Sequence, residues 1–121
     1  MTATAPTGPG MTGDAQRAGA LPDESEMERV AQSASEAAAL LKAISHEGRL
    51  LILCHLTTGE KTVTELEKLL SARQSAVSQQ LSRLRREGLV APRREGKVIH
   101  YSLTDDRVIR ILETVHGLFC R

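Results

Sequence analysis

The chain contains the segment Ser71-Ala-Arg-Gln-Ser-Ala-Val-Ser-Gln-Gln-Leu-Ser-Arg-Leu-Arg-Arg-Glu-Gly-Leu-Val90, whose residue spacing predicts a helix with two different faces. Val77, Leu81 and Leu84 recur at i, i+4 and i+7, the spacing of a face that packs inward, and Gly88 is a C-terminal stop signal. The other face carries hydroxyl, amide and guanidinium groups, which bind base edges and phosphates in a major groove. On this helix alone, a solvated surface and a DNA-reading surface are equally good interpretations.

The segment just upstream favours DNA reading. Thr62-Val-Thr-Glu-Leu-Glu-Lys-Leu-Leu70 predicts another short helix, opened by Thr64 with Glu67 three residues later in the capping-box pattern. Two short helices joined by a tight turn form a helix-turn-helix. The later helix is then the reading helix, the one that enters the groove.

The segment just downstream predicts a β-hairpin. Val90-Ala-Pro-Arg-Arg94 and Lys97-Val-Ile-His-Tyr-Ser-Leu103 flank Glu95-Gly96, and Ile99, Tyr101 and Leu103 alternate as in a strand. We interpret this hairpin as a wing beside the helix-turn-helix. The predicted fold class is therefore mainly α with a small β-hairpin, a winged helix-turn-helix.

Positive charge is concentrated in one part of the chain, although the net charge is only +1. Residues 71–100 carry seven Arg or Lys against two Glu, a net +5, whereas residues 1–70 have a net charge of −4 and residues 101–121 of zero. A basic patch on the predicted reading helix and wing indicates a polyanionic partner. It argues against a protein-interaction module that uses the winged fold without nucleic acid.

The predicted partner is double-stranded operator DNA, contacted by the reading helix and the wing. Gln79 is the leading candidate for a base reader, because a Gln amide pairs bidentately with adenine. The Arg and Lys side chains are expected mainly to anchor phosphates. The full predicted set of DNA contacts is Gln74, Ser75, Ser78, Gln79, Arg83, Arg93, Arg94 and Lys97.

Composition is that of one small globular domain. The chain has 121 residues, of which 40% are hydrophobic and 26% charged, and only Tyr101 and Phe119 are aromatic. A core of this size gains from burial against a second copy. The sequence has no apolar run of membrane-spanning length and no basic and apolar leader after Met1, so a cytoplasmic location is expected.

The N-terminal third predicts an arm followed by helices. Residues 1–24, rich in Thr, Ala, Gly and Pro, are predicted to be a disordered arm, which leaves 25–121 as the DNA-binding and dimerisation domain. Apolar residues at helical spacing predict one helix from about Ser25 through Ser45. The segment Ser45-His-Glu-Gly-Arg49 then starts a central core helix, and its Arg49 is a further candidate for a phosphate contact.

The last helix, capped by Thr104 or Asp105, carries an apolar stripe that is wider than one small domain can cover. Such breadth predicts a homodimer with this helix, assisted by the first one, at the interface. The predicted interface residues are Val108, Ile111, Leu112, Val115 and Phe119.

In this order of elements the chain resembles the ArsR family of winged-helix repressors, from about Met27 to the C terminus. The residues that carry the resemblance are Leu41-Lys-Ala-Ile-Ser-His-Glu-Gly-Arg-Leu-Leu-Ile-Leu-Cys-His-Leu56, Gln74-Ser-Ala-Val-Ser-Gln-Gln-Leu81 and Arg93-Arg-Glu-Gly-Lys97. With its two cysteines, the chain is similar to the BigR/SqrR-type, persulfide-responsive subgroup. The resemblance implies a homodimeric repressor that senses reactive sulfur species and derepresses sulfide-detoxification genes.

The two cysteines are the candidate sensor. Taken alone, Cys54 on an apolar helix is more typical of a small buried hydrophobic residue, whereas Cys120, the penultimate residue, has little core to fill. A cysteine pair in a cytosolic chain more often indicates redox or metal chemistry than a structural disulfide. We predict that linkage of the two releases DNA without any cofactor. A general thiol-redox response to peroxide is one alternative.

A metal-responsive repressor is the other alternative. A thiolate metal site gathers three or four ligands with local spacing, but the helix before the reading helix lacks cysteine and the last helix has His116 without a paired His. His55 points roughly 100° away from Cys54 on a helix, so no metal site is predicted. No Gly-rich phosphate loop, Ser/His/Asp order or zinc-protease helix appears, so no enzymatic activity is predicted.

Overall fold

The first helix, α1 (Glu24–Gln32), begins at Asp23 in a computed structural model that describes residues 21–120. The Asp23 carboxylate accepts the Glu26 N–H at 2.9 Å, and the Glu26 carboxylate accepts the Asp23 N–H at 2.8 Å, which together form a capping box. The predicted disordered arm, residues 1–24, falls mostly on residues 1–20, which lie outside the described residues. The chain divides after Ser35 into two compact units, and α1 belongs to the first of them.

The predicted single helix from Ser25 through Ser45 is wrong. The chain leaves helical geometry at Ser33, where φ is −101° and ψ is 6°, and α2 (Ala34–Ile44) follows. A serine hydroxyl competes with the helix for backbone partners, so a break at such a residue costs little. The end of α2 then buries Ala43 and Ile44 in the core.

The central helix, α3 (Glu47–Leu56), begins in the segment that the sequence predicted. The His46 Nδ1 atom accepts the N–H groups of Gly48 at 3.1 Å and of Arg49 at 3.4 Å, which satisfies two unpaired donors at the helix start. Three residues of α3 are buried, as expected of a core helix: Ile52, Leu53 and Leu56.

The helix-turn-helix consists of α4 (Val63–Leu70) and α5 (Gln74–Arg86). Its capping box lies two residues earlier than predicted, because Thr62 is the residue with extended backbone geometry. The Thr62 hydroxyl accepts the Glu65 N–H at 3.1 Å, and the Glu65 carboxylate accepts the Thr62 N–H at 2.8 Å. The turn between the helices starts at Ser71, whose φ of 51° is left-handed.

The wing is part of a three-stranded antiparallel sheet in the order β1-β3-β2, formed by β1 (Lys61–Thr62), β2 (Val90–Glu95) and β3 (Val98–Leu103). The sequence missed β1, since two residues are too few for alternation to be visible. Lys97, predicted to begin a strand, lies instead in the two-residue turn with Gly96, whose φ is 64°. That turn places the Lys97 side chain at the tip of the wing.

The last helix, α6 (Asp106–Phe119), begins at Asp105, whose carboxylate accepts the Arg107 N–H at 2.9 Å. This confirms one of the two predicted caps. None of the helices within residues 21–120 is long and apolar enough to cross a membrane. One hydrophobic core receives side chains from α2 through α6, from the start of β2 and from Leu89 just before it: Ala43, Ile44, Ile52, Leu53, Leu56, Leu66, Val77, Leu81, Leu84, Leu89, Val90, Val108 and Leu112.

Candidate nucleic-acid interface and thiol site

The exposed face of α5 is polar along its whole length. Ser75, Gln79, Ser82 and Arg86 recur at i, i+4, i+7 and i+11, so they share one helix face, and all four are exposed. Side chains on such a face can reach base edges in a major groove. The predicted set of DNA contacts omitted Ser82 and Arg86, although the same spacing indicates them. The opposite face packs into the core through the predicted residues Val77, Leu81 and Leu84.

The other predicted contacts on α5 lie at the edges of this face. Gln74 is exposed and lines a cleft beside the wing, together with Lys97 at the wing tip. Ser78 is half-buried. Arg83 is also half-buried, and its Nε donates to the Glu87 carboxylate at 3.2 Å. The Arg83 guanidinium is therefore partly neutralised within its own helix.

The two adjacent arginines of the wing have different surroundings, because successive residues of a strand face opposite sides. Arg93 donates to both carboxylate oxygens of Glu60, at 3.0 and 2.8 Å, and this hydrogen bonding lowers the pKa of Glu60. Arg94 lines a cleft of about 230 Å³ together with Arg85 and Tyr101. Arg94 makes no ion pair within the described residues, so it remains available to an anion.

The basic patch predicted from the sequence remains largely uncompensated. Of its seven basic residues, Arg83 and Arg93 form ion pairs with carboxylates. The other five make no ion pair within residues 21–120: Arg73, Arg85, Arg86, Arg94 and Lys97. They lie on or next to the exposed face of α5 and on the wing, where phosphates flanking a groove would be met.

The thiols are on two elements that border one cavity. Cys54 lies on α3, Cys120 is the C-cap of α6, and both are free. An open cavity of about 510 Å³ is lined by Cys54 of α3, by Thr57 at the end of that helix, and by four residues of α6, Ile109, Leu112, Glu113 and His116. Cys120 follows Ile109, Glu113 and His116 at i+11, i+7 and i+4, and its N–H donates to the His116 carbonyl at 2.9 Å. Cys120 itself has extended backbone geometry and is not one of the lining residues, but it directly follows the helix that supplies four of them.

The surroundings of the Cys54 thiol raise its pKa. Partial desolvation of the thiol is the larger cause that raises the pKa of Cys54, and the negative charge of a Cys120 thiolate raises that pKa further. The residue as a whole is exposed, so the interpretation of Cys54 as a small buried hydrophobic residue is wrong. Partial burial and a negative charge nearby both disfavour the thiolate form of Cys54.

His116 was the one histidine that the sequence placed on the last helix, and the structure brings it to the same cavity as Cys54 and Glu113. Sequence reasoning missed this convergence, because it depends on how α3 and α6 pack together. Within the described part of the chain, no three His, Cys, Asp or Glu side chains are grouped so that they could hold a metal ion. His55 is half-buried and does not line this cavity.

The predicted dimer residues divide into two groups. Val108 and Leu112 are 0% and 5% exposed, so they belong to the core of the protomer itself and not to a surface that a second copy could cover. Ile111 and Val115 are half-buried. Phe119 is 78% exposed, and its neighbour Leu118, which belongs to the same apolar stripe but not to the five predicted interface residues, is 63% exposed. The apolar surface that α6 offers to a partner is therefore nearer the C terminus than predicted.

The helix-turn-helix of α4 and α5, with a basic hairpin beside it, defines a winged-helix DNA-binding protein. The family described as "Bacterial regulatory protein, arsR family" matches residues 46–91. The chain is 46% identical over 87 residues to the "Biofilm growth-associated repressor" of Agrobacterium fabrum, covering 72% of this chain and 74% of that protein. It is 42% identical to the "Transcriptional activator HlyU" of Vibrio cholerae, covering 78% of this chain and 88% of that protein.

Solved structures agree with these relatives. The transcriptional repressor BigR from Xylella fastidiosa matches with a TM-score of 0.76 and 39% identity, over 78% of this chain and 97% of that chain. Reduced HlyU from Vibrio cholerae matches with a TM-score of 0.73 and 40% identity, over 78% of this chain and 99% of that chain. The protein belongs to the ArsR family of winged-helix transcription regulators, and the predicted resemblance to BigR is confirmed. Its relatives are transcription regulators, a class of protein that is in general non-enzymatic.

Proposed function

We propose that the protein is a homodimeric repressor that binds operator DNA while Cys54 and Cys120 are separate thiols, and releases it when persulfide sulfur links them. The observation that carries this proposal is the placement of the thiols. Cys54 lines the cavity from α3, which packs against both helices of the helix-turn-helix, and Cys120 ends α6, the proposed dimer helix. A link between them would constrain α3 relative to α6 and so favour one arrangement of the two reading helices.

The two thiols suffice for the chemistry, and each step balances. A protein thiolate attacks the outer sulfur of an organic persulfide, which leaves a protein persulfide and releases the organic thiol. When both cysteines carry the extra sulfur, the terminal sulfur of one attacks the inner sulfur of the other. A trisulfide then joins the two residues, and hydrogen sulfide leaves. The transferred sulfur is itself the oxidant and is reduced to sulfide, so neither a metal nor another electron acceptor is needed.

The mass of the intact protein after treatment distinguishes this proposal from its two alternatives. An organic persulfide should add whole sulfur atoms between Cys54 and Cys120 and release the operator. Peroxide acts through a sulfenic acid and yields a plain disulfide, with loss of two hydrogens only. Release of DNA by a protein that has lost two hydrogens and gained no sulfur would favour a general thiol-redox regulator. Release of the reduced protein by added metal would favour a metal-responsive one.

Base reading is assigned to the exposed face of α5, with Gln79 at its centre. We predict that Gln79→Ala lowers discrimination at one base position of each half-site by about 1–3 kcal/mol, because the bidentate amide contact to adenine is lost. Competition binding with operators substituted at single positions measures this. Affinity for unrelated duplex DNA is the internal control and should change little. An unchanged base preference at every position would mean that Gln79 does not read a base, although it lies on the exposed face of α5, the proposed reading face.

The wing is assigned to phosphate binding, with Arg94 as its main contact. Arg94→Ala should weaken binding to all duplexes alike and reduce the slope of log affinity against log salt by roughly 0.9 per lost phosphate contact. Arg93→Ala is the matched control one residue away, and it should change the slope less, because Glu60 already engages the Arg93 guanidinium. Fluorescence anisotropy over a salt series measures both. An intact slope in Arg94→Ala would mean that the wing does not touch DNA in this way.

A further inference from the structure

Arg49, in the first turn of α3, joins three helices through one guanidinium group. Its Nε donates to the Ala43 carbonyl at 2.6 Å and its Nη2 to the Lys42 carbonyl at 3.3 Å, both at the end of α2. Its Nη1 donates to the Gln80 side-chain oxygen on α5 at 3.2 Å. The last carbonyls of a helix lack intrahelical partners and favour a cation, so the end of α2 is a suitable anchor for this side chain.

The surroundings of Arg49 differ from those of a phosphate contact, the role that the sequence suggested for it. The side chain is half-buried. Desolvation, followed by the positive charge of Arg83, lowers the pKa of Arg49. Its donors are already directed at acceptors of the protein itself. Arg49 is therefore part of the internal scaffold that supports α5.

The Gln80 side chain also lies beside the start of α3. A Cβ atom at Gly48 would lie 3.7 Å from the Gln80 Nε2 atom, so the amide packs against the start of α3. Gln80 is half-buried and faces α3, whereas the adjacent Gln79 is exposed on the reading face. Consecutive residues on a helix are separated by roughly 100°, so fixing the direction of Gln80 also fixes that of Gln79.

We propose that Arg49 is a positioning residue for DNA recognition: through Gln80 it sets the rotation of α5 about its axis, and thereby the direction in which the reading face meets the bases. The proposal rests on the assignment of α5 as the reading helix. Its consequence is that Arg49 contributes to operator preference without touching DNA.

The test uses Arg49→Met and Gln80→Met, which remove the polar ends and keep unbranched side chains of similar length, together with the double variant. Affinity for operator and for unrelated duplex is measured over a salt series, and thermal melting of the free proteins is recorded alongside. Each single variant should lose about tenfold in operator affinity, with little change in affinity for unrelated duplex. The salt slope should stay intact, and the double variant should be no weaker than Arg49→Met. Arg94→Ala is the contrasting control, because it should lower the slope and affect both duplexes alike.

Three outcomes would overturn the proposal. A fall of roughly 0.9 in the slope for Arg49→Met would mean a direct phosphate contact. An unchanged ratio of operator to unrelated affinity in both variants, even with lower melting temperatures, would mean that the contact only stabilises the fold. Additive losses in the double variant would mean that the two side chains act separately. If Arg49→Met unfolds, the ratio measured for Gln80→Met still decides. The wild type is measured in the same series. If the wild type prefers the operator and the variants keep that preference, only this inference fails; if the wild type itself shows no preference, the proposed function fails.

Discussion

Cys54→Ser and Cys120→Ser should each bind the operator when reduced and fail to release it after treatment with an organic persulfide. Serine is close to cysteine in size but carries no sulfur that can be linked, and both cysteines are exposed, so the reduced conformation is kept and the link is not formed. To move a two-state equilibrium from 99:1 to 1:99 requires a difference of about 5.5 kcal/mol, or about 10⁴-fold in affinity. A covalent link in the wild type can supply a change of this size, whereas either variant should show almost none.

The measurement is an operator gel shift before and after persulfide treatment, with the intact mass taken from the same samples. Thr57→Ser is the matched control, because Thr57 lines the same cavity and its hydroxyl donates to the Cys54 carbonyl at 2.6 Å, a bond that serine can also make. This control should release DNA as the wild type does. Persulfide-driven release by either cysteine variant, with no added metal, would rule out the two-thiol mechanism.

Leu118→Glu is expected to convert the proposed dimer into monomers and to lower operator affinity by about 10²–10⁴-fold, because a monomer contacts one half-site and loses the second, intramolecular binding event. Leu118 is 63% exposed within the protomer, so a charge at this position does not disturb the core. Ile111→Glu would affect folding as well as dimerisation, since Ile111 packs against core residues of its own protomer.

Sedimentation velocity at micromolar concentration measures the oligomeric state, and anisotropy with a full operator and with a half-site measures the loss of affinity. Leu118→Met keeps an apolar side chain at the same position and should remain dimeric. Two reading helices related by a two-fold axis also require half-sites about 34 Å apart in a near-palindromic operator. If the wild type is monomeric in this experiment, the proposal that the protein acts as a homodimer is wrong.

The helix-turn-helix, the wing and the last helix were predictable because their signals are local. The spacing of Val77, Leu81 and Leu84 identified the buried face of α5, and all three are buried as predicted. Asp105 was identifiable as a cap and the hairpin by the alternation of its strands. Errors occurred where the local signal was ambiguous, as at Thr62 and Thr64, which are two residues apart and both suitable as caps. The sequence also did not show whether the apolar stripe of the last helix packs against its own protomer or against a second copy. Periodicity shows which residues share a face and not which neighbour covers them.

The sequence by itself determined the class of protein, the helix-turn-helix, the basic patch and the two candidate thiols, because residue type and spacing are properties of single elements. The tertiary structure decided which of these groups are available and which meet. Arg93 and Arg94 are the same type of residue and are adjacent in sequence. Glu60, which is 33 residues away from Arg93 along the chain, forms hydrogen bonds with Arg93 and not with Arg94. Cys54 borders a cavity with His116, and Arg49 contacts Gln80, only because separate helices pack together. Such contacts depend on the whole core, and no local pattern encodes them.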